Sequence, residues 1–264
     1  MCNKCTLLVN SCDAYSDLWE PFFRILIANW DPIPYPIILN TESLAFSFPS
    51  LEIHTFGLYP KENNVPWGER LIATLQRIDT EFILFMLDDF FLLDRVDQER
   101  INQCISWMTE NPEIAVFSFS RTHQPNIRDG KYPHFERRPQ NGEYRLNTQA
   151  AVWRREKLIS YIRPHESPWE WELYGSIRSR RYPEIFYSAI EGEPSIMLYD
   201  WSAGGAVHRG KWTASALKLL KEYDIQVDVT KRGVECLKNQ HKLSLPERAV
   251  NKLKRVPRYL KSVL

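Results

Sequence analysis

The chain has 264 residues, with 34 Lys plus Arg against 33 Asp plus Glu and a formal net charge of +1. That length suits one large α/β domain or two small ones, and one is favoured. The charge balance excludes the broad basic surface of a nucleic-acid binder, so any anionic partner has to be met by a local cluster of cations.

The first predicted element is a short strand, about Thr6 to Val9, that runs into the polar loop "NSCDAY". A helix follows, with Ser16 or Asp17 as its expected N-cap and Leu18, Phe22, Ile25 and Leu26 on one face. "YPIILNTE" and "LEIHTFG" read as strands and "WGERLIATLQRI" as a helix. "FILFML" reads as a strand apolar on both faces, as parallel strands covered by helices are. "VDQERINQCISWMTENPE" places Ile101, Ile105 and Met108 on one helical side, and "IAVFSFS" is the next strand. This β-then-α alternation predicts an α/β fold, a mostly parallel sheet with helices on both faces, whose ligands bind beyond the carboxyl ends of the strands.

From Arg121 to Asn141 the chain is polar and basic without a period, which predicts a long loop. Beyond it a strand is expected around Tyr144 to Trp153, then two helical stretches, then strands near Phe186 and Met197. The predicted organisation is a domain over 1–245, with a nucleotide-binding half to about 120 and an acceptor half after it, and a basic tail over 246–264. Five cysteines without framework spacing suit reduced thiols in the cytoplasm. The Cys2-x-x-Cys5 pair lacks a second half-site at zinc spacing. No stretch reaches the roughly 18 apolar residues of a membrane span.

Three polar clusters fall at predicted strand ends or junctions. The first is Ser11, Cys12, Asp13 and Tyr15, where Asp13 either takes a hydroxyl of a base or ribose, with Tyr15 stacking, or merely caps the helix entry. The second is Asp88 and Asp89, adjacent carboxylates at the end of a buried strand. Because desolvated carboxylates repel, they need a metal or ribose, or failing that an internal Arg or a turn to cap. The third is "GGAVHRGKW". There Gly204 and Gly205 permit close backbone approach, and His208, Arg209 and Lys211 offer a ligand and two cations, either for a diphosphate or as a solvated basic turn.

In "ESPWEWELYGSI", Ser167-x-x-Glu170 with Pro168 is a capping-box signature, which gives Glu170 a structural task. Glu172 lies about 200 degrees around the helix from it and is the carboxylate left free to act as a base, unless it is simply solvated.

With these pieces assembled, the chain resembles bacterial glycosyltransferases of the GT-A fold, especially the small enzymes of capsule and O-antigen assembly. The resemblance spans residues 6 to 212 and rests on "NSCDAY", "PWGERLIATL", "LDDFFL", "NTQAAVW", "PWEWE" and "VHRGKW" in that order. It implies a nucleotide-sugar donor, UDP-sugar favoured, and a divalent cation, Mn2+ or Mg2+. It implies further a glycan or lipid-linked glycan acceptor and a cytoplasmic enzyme lying on the inner face of the membrane.

Carried over, Ser11, Asp13, Tyr15, Arg70, Asp88, Arg209 and Lys211 face the nucleotide-sugar, Asp89 and His208 hold the metal, and Glu172 is the base of an inverting reaction. Gln149, Trp169 and Trp171 stand on the acceptor side. The usual acidic motif is Asp-x-Asp, and here the aspartates are adjacent. Two rivals remain at this point: a metal-dependent phosphohydrolase, which needs a second metal's ligands, and a non-catalytic glycan-binding module.

The tail "PERAVNKLKRVPRYLKSVL" spaces Val250, Leu253, Leu260 and Leu264 helically. It sets Arg248, Lys252, Lys254, Arg255, Arg258 and Lys261 against Glu247, with a kink expected at Pro257. Such a tail either lies on an anionic membrane or packs on the domain with a solvated basic face.

Overall fold

In the computed structural model, which describes residues 4–57, 59–60, 63–121, 125–235 and 257–263, eight strands form the main sheet. They are β1 (Cys5–Asn10), β2 (Ile37–Thr41), β3 (Ile53–Gly57), β4 (Phe82–Leu87), β5 (Ile114–Ser118), β6 (Phe135–Arg137), β7 (Ala151–Arg154) and β8 (Ile185–Ala189). Their order is β3-β2-β1-β4-β7-β5-β8-β6. The pairs among β3, β2, β1 and β4 are parallel, as is β5 with β8. β7 runs antiparallel to both β4 and β5, and β6 antiparallel to β8. The expected α/β class with a mostly parallel sheet is what the chain adopts.

Helices α1 (Trp19–Asn29), α2 (Trp67–Gln76), α3 (Gln98–Glu110), α4 (Arg155–Tyr161), α5 (Pro168–Glu170), α6 (Ser176–Ser179) and α7 (Ala214–Glu222) cover both faces. Strand side chains alternate between faces, so β1 sends Leu7 and Val9 into one core with Phe22, Phe23 and Leu26 of α1. Leu8 enters the other core with Leu71 and Leu75 of α2. Burial on both sides is the reason these strands read as unbroken apolar runs.

Several boundaries differ from the expectations. The helix expected to start at Ser16 or Asp17 is preceded by a 3-10 turn, Asp13–Leu18, and has no side-chain N-cap. Asp17 is drawn instead into an ion pair with Arg232. The loop expected over 121–141 contains β6, an edge strand of three residues, too short and polar for a period of two to show. The strand expected from Tyr144 shrinks to β7, because Tyr144 takes a positive φ of 48° and the residues up to Ala150 stay irregular. Near Met197 there is no strand; Tyr199 makes one isolated bridge to Leu92.

Most of the predicted tail lies outside the described residues. The helical residues 257–263 are described and pack on the domain, with Ser262 and Val263 buried. Among the described residues, no helix is long and apolar enough to cross a membrane.

Candidate active site

The chain leaves β4 at Leu87 and turns at once, which carries both aspartates to the carboxyl edge of the sheet while keeping them buried. Asp88 turns towards β1: its Oδ2 accepts from the Ser11 hydroxyl, and that hydroxyl in turn accepts from Trp19 Nε1 at 2.7 Å. Burial pushes Asp88 up to about 7, although the Ser11 hydrogen bond works the other way. Asp89, next in the same turn, packs against the loop that carries Gly205. Burial and then the Asp88 charge lift it well above the carboxylate range, and its Oδ1 has no hydrogen-bond partner. A buried acid without a partner costs free energy that only a cation or a donor can offset.

The loop after Asp200 lies directly on Asp89. Ala206 N donates to the Asp89 carbonyl at 2.7 Å, and a Cβ added at Gly205 would sit 2.6 Å from Asp89 Oδ2. Gly205 has φ +89° and Gly204 +82°, so the paired glycines are required both for conformation and for space. A Cβ at Gly204 would come within 3.3 Å of His208 Cδ2, so the di-glycine packs against Asp89 at Gly205 and against the His208 ring at Gly204.

His208 opens the hairpin β9 (Val207–His208) and β10 (Lys211–Trp212). Its Nδ1 lies 2.6 Å from Glu235 Oε1. A carboxylate on one ring nitrogen is the arrangement that orients the other towards a metal. The described residues hold no cluster of three or more His, Cys, Asp or Glu able to take a metal. Asp89 and His208 therefore fit a cation only where phosphate oxygens and water complete its shell, a mode common for Mg2+.

On the β1 side the expected residues divide. The Asp13 carboxylate accepts from Glu42 N at 3.0 Å, Ser43 N at 3.1 Å, Leu44 N at 3.2 Å and Ser43 Oγ at 2.5 Å. Although burial works against them, these bonds hold it below the usual carboxylate range, so it pins the loop after β2. Arg70, buried on α2, reaches the Ser11 carbonyl at 3.4 Å and Glu42 at 3.5 Å, which places it under this corner. Arg209 and Lys211 flank the tip of the β9–β10 hairpin; both are exposed, and Arg209 has φ +51°. Exposed cations at a hairpin tip suit both readings, the diphosphate contact and the solvated basic turn.

The cation close to the acid pair is Arg232, which sequence reasoning missed. It grips Asp17 at 2.5 and 2.7 Å, donates to the Ala14 carbonyl at 2.7 Å and lies 4.4 Å over the Tyr15 ring. Its charge also reaches Asp88 and Asp89. The bridge between Trp212 and Val234 and the turn at Gly233, φ +69°, bring it there. Nothing local marks Arg232, because its partners lie 215 residues away.

The residues expected on the acceptor side gather around β7 and the π turn. Its pairing of Ala151 with Phe85 carries Thr148 and Gln149, just before β7, towards the level of Leu87 and Asp88. Glu172 Oε1 accepts from Thr148 N at 2.7 Å and Thr148 Oγ1 at 2.8 Å, which leaves the second carboxylate oxygen for another partner. Burial raises the Glu172 pKa and outweighs these two bonds. The residue sits in a single π turn, Trp171–Gly175, where the Ser176 hydroxyl takes the Glu172 carbonyl at 2.5 Å and accepts from Leu146 N at 2.9 Å. Such turns are frequent at functional sites.

The capping box forms as expected: Ser167 Oγ accepts from Glu170 N, and Glu170 Oε2 accepts from Ser167 N at 2.9 Å. Gln149 Oε1 accepts from Tyr199 OH at 2.9 Å. Trp169 is 77% exposed and free to meet a ligand. Trp171 is not on the acceptor side: it is 1% exposed and packs against Trp67 and Trp153, because the π turn rotates it into the second core.

No family model matches the chain, and no curated protein matches it. Among solved structures, S. aureus TarS 1-349 with UDP-GlcNAc aligns at TM-score 0.45 and 9% identity over 99% of this chain and 82% of that one. In another TarS 1-349 structure the chain spans 59% of its length. Galactosyltransferase LgtC with donor and acceptor sugar analogs aligns at 0.38 and 10% identity, covering 98% and 95%. A cytidylyltransferase from Leptospira borgpetersenii aligns at 0.43 and 10%, covering 89% and 99%. Likenesses this distant carry no argument about the reaction.

Proposed function

We propose that this protein is a glycosyltransferase of the GT-A type. In this reading it moves a sugar from a nucleoside-diphosphate sugar, UDP favoured, to a hydroxyl of a glycan acceptor in bacterial surface polysaccharide synthesis. One observation carries the reading: a buried acid pair stands just past β4, and a separate glutamate of raised pKa is hydrogen-bonded to Thr148, just before the neighbouring strand β7. Leaving-group binding and proton abstraction need these two kinds of carboxylate, held apart.

In the proposed step Glu172 takes the proton of the acceptor hydroxyl, and the oxygen attacks the anomeric carbon from the face opposite the diphosphate. The bond from that carbon to the diphosphate oxygen breaks, with inversion. Asp88, presented by Ser11, faces the ribose, and Tyr15, backed by Arg232, the base. Arg70 supports the corner, and Arg209 and Lys211 reach the diphosphate from the hairpin. A divalent cation, when bound, would neutralise charge on the departing diphosphate, held by Asp89 and the Nε2 of His208. Trp169 and Gln149 flank the acceptor, a glycan carried on lipid at the inner face of the cytoplasmic membrane.

A metal-dependent phosphohydrolase would draw on a richer ligand set than the described residues offer. Incubating the full chain with a panel of nucleotide-sugars and resolving released nucleotide from released phosphate tests the reading. Acceptor-dependent nucleoside diphosphate supports it, and inorganic phosphate alone would replace it with the hydrolase.

A further inference from the structure

Four large apolar side chains stand exposed together: Trp169 at 77%, Leu173 at 40%, Tyr259 at 39% and Leu260 at 46%. They come from two distant parts of the sequence, and contacts between neighbouring residues bring the two segments together. Arg258 Nη1 meets Glu170 Oε1 at 3.2 Å, and the Tyr174 and Tyr259 rings are 5.7 Å apart. Trp169 and Leu173 are four residues apart, on one helical side.

The 257–263 helix is fixed in place. Arg178 Nη1 donates to the Ser262 carbonyl at 2.6 Å, His165 Nε2 lies 2.9 Å from Ser262 Oγ, and Arg181 donates to the Val263 carbonyl at 3.0 Å. Tyr259 and Leu260 are therefore presented outward on a rigid base.

Around this patch stand Arg180, Arg181, Arg258 and Lys261, all exposed. Of the acids nearby, Glu166 is fully buried on Arg178 and Glu172 is turned to Thr148, while Glu170 is paired with Arg258, so the charge left over is that of Arg180, Arg181 and Lys261. A cavity of about 370 Å³ opens beside the patch, and its lining is mixed, with Trp67, His165, Arg258 and Lys261 beside Glu166 and Glu170. An exposed Trp and Tyr with aliphatic neighbours and a basic rim is the composition of a surface that lies in a lipid interface.

We propose that this composite face, built from α5, the π turn and the 257–263 helix, docks on an anionic lipid bilayer, with the apolar four among the acyl boundary and the basic rim of Arg180, Arg181 and Lys261 at the lipid phosphates. It differs from an anchor made of the basic tail alone, because half of the apolar contact comes from the segment that carries Glu172. Docking itself does not depend on the transfer reading. Only its consequence, delivery of a lipid-linked acceptor to Glu172, rests on that reading.

Flotation of the full chain with phosphatidylglycerol-containing and pure phosphatidylcholine vesicles, together with quenching of Trp emission by brominated lipid, tests the proposal without donor or acceptor. Binding to the anionic vesicles only is expected, with quenching that Trp169→Phe largely removes while flotation stays within about twofold. Leu260→Ser combined with Lys261→Glu, checked for folding by circular dichroism, should lower anionic partitioning by at least about tenfold. Equal flotation on both vesicles, no flotation, or quenching unchanged in Trp169→Phe would each overturn the proposal. So would undiminished partitioning of the folded double variant, which would place the contact elsewhere. Should the double variant fail to fold, the Trp169→Phe quenching result decides.

Discussion

Replacing Glu172 by Gln removes a proton acceptor and almost nothing else. The amide oxygen can still accept from Thr148 N and Oγ1, now at 2.7 and 2.8 Å, so the π turn keeps its tie to the loop before β7. A lost general base costs about 10²- to 10⁴-fold, or about 3–5 kcal/mol of barrier. The expected outcome is a fall in kcat of that size with donor affinity unchanged.

The pH dependence follows from the same contacts. Only the carboxylate accepts a proton, so kcat/KM should rise with pH through the Glu172 pKa and then level off. Burial holds that pKa above the ordinary 4.5, which places the rising limb above the usual glutamate range. Thr148→Val deletes one of the two bonds that favour the charged form. A hydrogen bond to a charged group is worth about 1.5–3 kcal/mol, so the limb should move up by about one to two pH units with the plateau nearly unchanged. Initial rates over pH for the wild type and both variants check this. A Glu172→Gln enzyme within tenfold of wild type, or a limb indifferent to Thr148→Val, would refute the assignment.

Asp88→Ala and Asp89→Ala should each lower transfer by at least about a hundredfold while the circular dichroism spectrum stays native. Burial lifts Asp88 to about 7, so the folded chain keeps a proton that the unfolded chain releases near 3.8. Stability is therefore lost as pH rises through that window, and urea titrations should show Asp88→Asn gaining on wild type between about pH 4 and about pH 7 and no further above it. Excess EDTA should reduce activity and added Mn2+ or Mg2+ restore it, with Glu235→Gln raising the metal concentration needed about 10- to 100-fold. Gly205→Ala combines a φ of +89° with a 2.6 Å approach to Asp89 Oδ2, whereas Gly210→Ala at φ +79° meets nothing within 4 Å. The first should lose more stability than the second in the same urea titrations, beyond a shared strain of about 1–3 kcal/mol, and should also raise the donor KM.

What the sequence revealed followed from local rules. "FILFML" and "PIILN" announce strands because both of their faces are buried, and "ESPWE" announces its capping box because the reciprocal bonds lie within three residues. Asp88 and Asp89 stood out because an apolar run ended in charge. What stayed hidden depends on distant contacts. Arg232 reaches the site only through a turn and a bridge formed after α7. Thr148 holds Glu172 across 24 residues. The resemblance sets Trp171 on the acceptor side because it flanks Glu172 in the sequence, whereas the fold packs it into the second core against Trp67 and Trp153. Asp13 looked available because the donors that occupy it lie beyond β2.

The most direct measurement of the central claim is the product released from UDP-sugars by the full chain, with and without a glycan acceptor, followed by ³¹P NMR. The account predicts UDP, formed faster when acceptor is present and lost in the Glu172→Gln and Asp88→Ala variants. Inorganic phosphate or pyrophosphate as the phosphorus product, or UDP release untouched by both substitutions, would contradict it.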